Sequence, residues 1–250
     1  MSLTMGTGPF GHHPRGKLNF EPPEHVVYVE PWPRRVRGFA GDTIVVDSER
    51  AVLVYTSGRL PHYAFPADDV KIGAEPEPEV DGYVQVPWST ANRWLEEEDE
   101  IIVHPHDPYH RIEVLRSSRS VRVRVNGEPV AESTTPRILF ETGLPPRYYL
   151  SREDVRMEAL EPIALRTGCA YKGWATYWNV RTKAGLVPAA AWSYPEPLRE
   201  GELVENLVSF FQERPEIELE VDGSAAESPP TPWFGTAWIE QSAVTPAAPS

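Results

Sequence analysis

The chain has 250 residues, 40% hydrophobic and 24% charged, with a formal net charge of -13. That acidity opposes phosphate backbones and anionic lipid surfaces, which argues against nucleic acid and membrane as partners. No apolar run approaches a membrane span, Met1–Gly6 lacks the charged-then-apolar pattern of a secretory leader, and one cysteine cannot close an internal disulfide, so a cytoplasmic, reducing location is expected.

Taken in chain order, residues 1–30 read as an irregular arm. Phe10–Gly16 and Glu21–Glu24 are rich in Gly, Pro and His and break both helix and strand. Neighbouring histidines such as His12 and His13 in an arm of this kind are expected to be exposed. Between Arg35 and Val70, Thr43–Val46 and Ala51–Tyr55 are strand candidates separated by turn residues. Ser89–Asp99 opens on capping residues and continues with good helix formers, so a helix is predicted there with Trp94 and Leu95 inward. Ile101–His104 restarts an extended segment. His104, His106, Asp107 and His110 follow among prolines. Two histidines at i and i+2 on an extended chain share a face, which suits a metal. The prolines equally suit a linker, and neither a metal site nor a cofactor is predicted.

An internal correspondence then becomes visible. Val36–Val70 and Val121–Val155 are windows of equal length. Without a gap, Ser48 falls on Ser133, Gly58 on Gly143, Pro61 on Pro146, Tyr63 on Tyr148 and Asp69–Val70 on Asp154–Val155. A spacing this long indicates duplicated domains and not a solenoid. In the second window Val121, Val123 and Val125 alternate with Arg122 and Arg124, a half-buried strand whose arginines face solvent. Asn126–Gly127, a dipeptide favoured in type I′ turns, follows at once. Further strands are expected over Arg137–Glu141, Arg147–Leu150, Ala175–Val180 and Ala189–Tyr194. Leu203, Val204, Leu207, Val208, Phe210 and Phe211 recur at helical spacing, which predicts an amphipathic helix over Glu200–Glu213. Ile217–Val221 alternates again and closes the domain. From Ser224 to Ser250 Pro, Ala and Ser dominate, and a disordered tail is predicted whose Trp233, Phe234 and Trp238 could dock on the body or on a partner.

The candidate site is Thr167–Trp178, answered by Ala191–Pro195. It holds the single cysteine and three of the eight tryptophans. Cys169 and Lys172 are the candidate catalytic groups: a lysine or histidine that lowers a thiol's pKa makes it a nucleophile. A free cysteine also serves as a small buried hydrophobe, and Lys172 could simply pair with Asp154 or Glu141. Tyr171, Lys172, Tyr177, Trp178, Trp192 and Tyr194 are the candidate ligand-binding residues, an aromatic wall with an amine at its rim. Aromatics in a β-rich domain are also ordinary core. Asp68–Asp69 and Glu153–Asp154 are adjacent carboxylates, which on a strand face opposite ways, and no Gly-rich phosphate loop is present.

Asn126–Gly127, Glu141–Tyr149, Asp154–Arg156, Cys169–Gly173, Tyr177–Trp178 and Ala191–Pro195 together resemble the bacterial domain-of-unknown-function family 427, which carries a nucleotidyltransferase-like name. The resemblance covers residues 119–223, with residues 34–115 similar to a diverged copy. It implies a β-tent-like fold, antiparallel sheets meeting at an angle around a pocket. The zinc site of related β-tent domains needs paired Cys-x-x-Cys motifs, which a single cysteine cannot supply. The expectation is a mainly β protein of two tandem β-tent-like modules, each with a short helix: an arm (1–30), a diverged module (31–115), a complete module (116–223) and a tail (224–250). The expected function is binding of a small cyclic or aromatic metabolite in the second module. The alternatives are a transferase or hydrolase using Cys169 and Lys172, and a structural interaction protein without a ligand.

Overall fold

The computed structural model describes residues 3–226. The protein is mainly β, with 48% strand, 8% helical turn and several open antiparallel sheets. It divides between His110 and Arg111 into two compact units. The two buried clusters have no residue in common.

The first unit contains β1 (Val27–Pro31), β2 (Val36–Ala40), β3 (Thr43–Ser48), β4 (Val52–Thr56), β5 (His62–Pro66), β6 (Glu75–Pro76), β7 (Tyr83–Gln85), β8 (Arg93–Glu96) and β9 (Asp99–Ile101). They form two sheets, ordered β1-β4-β5-β7-β6 and β3-β2-β8-β9. The apolar alternation of these strands fills a core around Val36, Val46, Leu53, Phe65 and Trp94. β1 draws Val27–Glu30 out of the stretch read as an irregular arm. The helix expected over Ser89–Asp99 is not formed. A single 3-10 turn, Trp88–Thr90, precedes β8, and Glu97 has a positive φ of 51°. Pairing of β8 with β2 and burial of Trp94 and Glu96 on one strand face outweigh the helix propensity of the acidic run.

The second unit contains β10 (Ile112–Arg116), β11 (Val121–Val125), β12 (Glu128–Ser133), β13 (Arg137–Glu141), β14 (Arg147–Tyr149), β15 (Leu160–Cys169), β16 (Gly173–Thr182), β17 (Gly185–Ser193), β18 (Ser209–Phe210), β19 (Ile217–Val221) and β20 (Ser224–Ala225). Three sheets result, ordered β10-β13-β14, β12-β11-β19-β20 and β15-β16-β17-β18. In β11 the valines are buried and Arg122 and Arg124 exposed. Asn126 and Gly127 both take positive φ, 49° and 75°, as a type I′ turn requires. The amphipathic helix expected over Glu200–Glu213 is replaced by a 3-10 turn, Arg199–Val204, and then by extended chain. Asn206, at φ 57°, breaks the helical path, and Val208 bridges Leu150. A turn followed by a strand buries Val204, Val208, Phe210 and Phe211 at spacings that mimic a helix face. The short helix expected in each module is thus a 3-10 turn. The predicted tail begins with β20, and residues 227–250, including Trp233, Phe234 and Trp238, lie outside the described residues.

The offset that carries Val36 onto Val121 also carries β1 onto β10, β2 onto β11, β3 onto β12 and β4 onto β13, bound for bound. Pairings follow: Val27↔Thr56 answers Ile112↔Glu141, and Val36↔Ser48 answers Val121↔Ser133. A register shift falls after Gly38 in one hairpin and after Val123 in the other. The bridge Val46↔Val70 answers Ala131↔Val155. A longer offset carries β8 and β9 onto β19 and β20: Glu96↔Asp99 answers Val221↔Ser224. The added chain between is β15, β16 and β17, the strands that hold the candidate site.

Candidate functional site

β15 and β16 form a long hairpin whose ends meet at the pair Cys169↔Gly173. Gly173 takes φ 92°, which an L side chain adopts only with strain, so Ala170–Tyr171–Lys172 makes a tight tip. A hairpin tip is ordinarily solvated, yet Tyr171 and Lys172 are buried. The chain after β17 lies over them: Leu198 N–H donates to the Lys172 carbonyl at 3.1 Å, and Gly173 bridges Pro197. At Gly201 a Cβ would stand 3.2 Å from the Lys172 carbonyl oxygen and 3.1 Å from Pro197, so the cover is close-fitting.

Lys172 Nζ donates to Glu141 Oε2 at 2.5 Å, and both side chains are 7% exposed. Burial works against the ammonium, but the Glu141 carboxylate outweighs it, so the Lys172 pKa is raised and the amine stays charged. Of the two partners considered for Lys172, Glu141 is the one it takes. Cys169 is half-buried, within electrostatic reach of Lys172, Tyr177 and Tyr194. Burial raises the phenol pKa values of Tyr149 and Tyr194 and pushes Tyr177 up to about 12, so all three stay neutral donors. Tyr177 shares a 2.6 Å hydrogen bond with Thr167.

Tyr177 and Trp192 are cross-strand partners and share one face of the sheet. On that face Phe211 lies 4.3 Å from the Trp192 ring and stacks parallel to Tyr177 at 6.4 Å. Trp192 Nε1 donates to the Tyr149 hydroxyl at 3.0 Å. Arg147 sits over Trp192 and Phe211 and is held by Glu213 through two 2.6 Å bonds. Trp178 pairs with Ala191 and therefore faces the other way. There the Arg152 guanidinium lies 5.5 Å above its ring. The expected wall of Trp178 beside Trp192 is thus not assembled. The structure gathers Cys169, Lys172, Tyr177, Trp192 and Tyr194, and leaves Trp178 on the reverse side.

Sequence reasoning missed Tyr149, Phe211, Arg147 and Glu213. One signal was available: Glu141 and Arg147 occupy inward positions on short strands whose other inward residues, Leu139 and Tyr149, are apolar. The grooves described in this unit lie elsewhere. One of about 560 Å³ runs over β11 and β12, lined by Arg122, Arg124, Glu132, Asp154 and Arg156. Among the described residues no group of three or more His, Cys, Asp or Glu is placed to hold a metal ion, and no helix is long and apolar enough to cross a membrane. A family model described as a domain of unknown function (DUF427) matches residues 113–223, so the second unit is similar to that family over nearly its whole described length. No curated protein matches the chain.

Proposed function

We propose that the second unit binds a small cyclic or aromatic metabolite carrying negative charge, at the Lys172 ammonium beside Tyr177, Trp192 and Tyr194. The observation that supports this most is the buried Lys172–Glu141 pair ringed by neutral phenols. A buried ion pair adds little to stability, since hydrocarbon of similar volume often serves the fold as well. Perturbed ionisable groups clustered around one charge are better accounted for by a ligand. An entering carboxylate or phosphate oxygen takes the place of Glu141 at Nζ, and the ring displaces Phe211, which covers Trp192 in this structure. The chain over the hairpin tip makes entry at the Cys169 rim the short route.

Thermal-shift screening of anionic cyclic metabolites, followed by calorimetric titration, tests this. Binding in the native chain, at least tenfold weaker in Lys172→Met and lost in Trp192→Ala, is the expected result. Equal affinity in Lys172→Met, or no stabilisation by any anionic ring compound, sinks it. A second reading, thiol chemistry, is supported by the half-exposed Cys169 next to a fixed cation. Cys169→Ser separates the two: a binder keeps its affinity, whereas a transferase or hydrolase binds and no longer turns over.

The first unit is, in this reading, a diverged copy without the site. The shared registers and the hairpin bulge at the matching position support common descent. Its chain between Val70 and Arg93 carries only the short β6 and β7 where the second unit has β15–β18.

A further inference from the structure

The groove of about 560 Å³ over β11 and β12 shares no lining residue with the surroundings of Lys172. Part of its charge is paired within the chain. Arg122 meets Glu132 at 2.9 Å, and Arg156 meets Glu158 at 3.2 Å. Three charged groups of the lining are left over. Arg124 donates to the Gly127 carbonyl at 3.3 Å, and among the described residues no carboxylate pairs with it. The Glu153 and Asp154 carboxylates make no ion pair or hydrogen bond among the described residues. On a strand these neighbours would face opposite ways. They sit instead on a 3-10 turn, Arg152–Asp154, and both line the groove.

The first unit shows what such a carboxylate holds. Asp69, which matches Asp154 in the equal windows, lies on the corresponding turn Ala67–Asp69. Its Oδ1 accepts from the Arg50 guanidinium at 2.6 Å and its Oδ2 from the Ser48 hydroxyl at 2.7 Å. The second unit keeps the local geometry. Arg50 N–H donates to Ser48 Oγ at 3.1 Å, and Thr135 N–H to Ser133 Oγ at 3.2 Å. Thr135 carries no guanidinium, so Asp154 keeps the place of Asp69 and lacks its cation. Asp154 is half-buried, and taking a carboxylate partly out of water is costly until a counter-ion meets it.

We infer that this groove binds an amino acid or short peptide bearing a guanidinium side chain, its guanidinium on Asp154 and Glu153 and its carboxylate on Arg124. The planar fork of a guanidinium matches a carboxylate at both ends of the groove. A simple cation leaves Arg124 unmet, and a simple anion is repelled by the two carboxylates, so the ligand carries both signs. β12 lies between the two ends: Ala131 bridges Val155 and pairs with Val123. Adjacent strands stand about 4.8 Å apart, which sets the ends about 10 Å apart at the backbone. Side chains reaching in from both ends bring the gap within the length of an extended arginine. The volume is that of a small-ligand pocket. The choice of a guanidinium rests on the reading of the two units as copies; the groove and its unpaired charges stand without it.

Calorimetric titration of the full chain with N-acetyl-arginine, which carries a guanidinium and a carboxylate but no second ammonium, tests this. Saturable binding is expected, at least tenfold weaker in Asp154→Asn. N-acetyl-citrulline, which has the same shape without the cation, should bind at least tenfold more weakly. Agmatine, which lacks the carboxylate, should bind native chain and Arg124→Met equally, whereas N-acetyl-arginine should lose affinity in Arg124→Met. Thr135 is exposed, and Thr135→Arg restores the first unit's own guanidinium beside Asp154. It should cut N-acetyl-arginine binding at least tenfold with the unfolding temperature kept or raised. No binding at millimolar N-acetyl-arginine, or equal affinity in Asp154→Asn, overturns the site. Equal binding of the citrulline compound refutes the guanidinium. Thermal stabilisation by magnesium alone, lost in Asp154→Asn, assigns the carboxylates to a metal and also overturns it. If Asp154→Asn fails to fold, undiminished binding in Thr135→Arg decides against the proposal.

Discussion

Tyr177 shows at the scale of one residue how burial sets chemistry. Its phenol is buried, held by Thr167, and pushed up to about 12 from an ordinary value near 10. A group whose folded pKa is raised contributes stability that is fully present below its unfolded pKa. For Tyr177 that contribution is lost as pH rises from about 10 through 12, where the unfolded phenol ionises and the folded one resists; the gap is worth on the order of 3 kcal/mol. Tyr149 and Tyr194 shift the same way and steepen the loss. Tyr177→Phe is expected to cost about 1 kcal/mol near pH 7 through the lost hydrogen bond, and to lose less stability than the native chain between pH 8 and pH 11.5. Urea unfolding at the two pH values measures both effects, and parallel losses would show that Tyr177 titrates as an exposed phenol. The Lys172 ammonium is raised as well, so its contribution holds throughout the neutral range.

At the scale of elements, the strand pairs β2–β8 and β11–β19 solve one packing problem twice. In the first unit Gly38 lies opposite Trp94; a Cβ at Gly38 would stand 2.9 Å from the indole ring. In the second unit the same pair is Val123 opposite Leu219, both buried. A large residue against none and two of middle size fill similar space. Gly38→Val alone is expected to destabilise by about 1–3 kcal/mol through overpacking, and Trp94→Leu alone by about 2–4 kcal/mol through the void it leaves. Together they should cost at least 1 kcal/mol less than the sum, a coupling that a double-mutant cycle on unfolding free energies reads directly. Strict additivity would mean that the two positions do not share the space.

The whole molecule consists of two units with separate cores. The buried cluster around Leu53, Phe65 and Trp94 shares no member with that around Leu139, Leu150 and Phe210. Each cluster is fed by its own sheets, and no ladder joins a strand before His110 to one after it among the described residues. A chain of residues 111–250 is therefore expected to fold alone and unfold cooperatively in urea, with the β signature of the second unit. A fragment without a cooperative transition would show that the second core needs the first unit to form.

Composition and alternation by themselves determined the mainly β class, the Val121–Val125 strand with its Asn126–Gly127 turn, and the equal windows Val36–Val70 and Val121–Val155. Those signals are local, or compare one stretch with another, and no tertiary contact is needed to read them. Two helices were misread for a shared reason: glutamate-rich and i, i+3, i+4 apolar patterns are ambiguous until a partner strand claims them. β2 claims Arg93–Glu96, and Leu150 claims Val208. The residues of the candidate site were largely legible as a concentration of Cys, Lys, Tyr and Trp, but their arrangement was not. Which face Trp178 and Trp192 take depends on the cross-strand register around bulges in β15–β17. The choice of Glu141 for Lys172 depends on a hairpin tip folded under a later segment. Side-chain period along a strand is local, whereas register and burial are fixed by contacts between distant parts of the chain, and those only the tertiary structure decided.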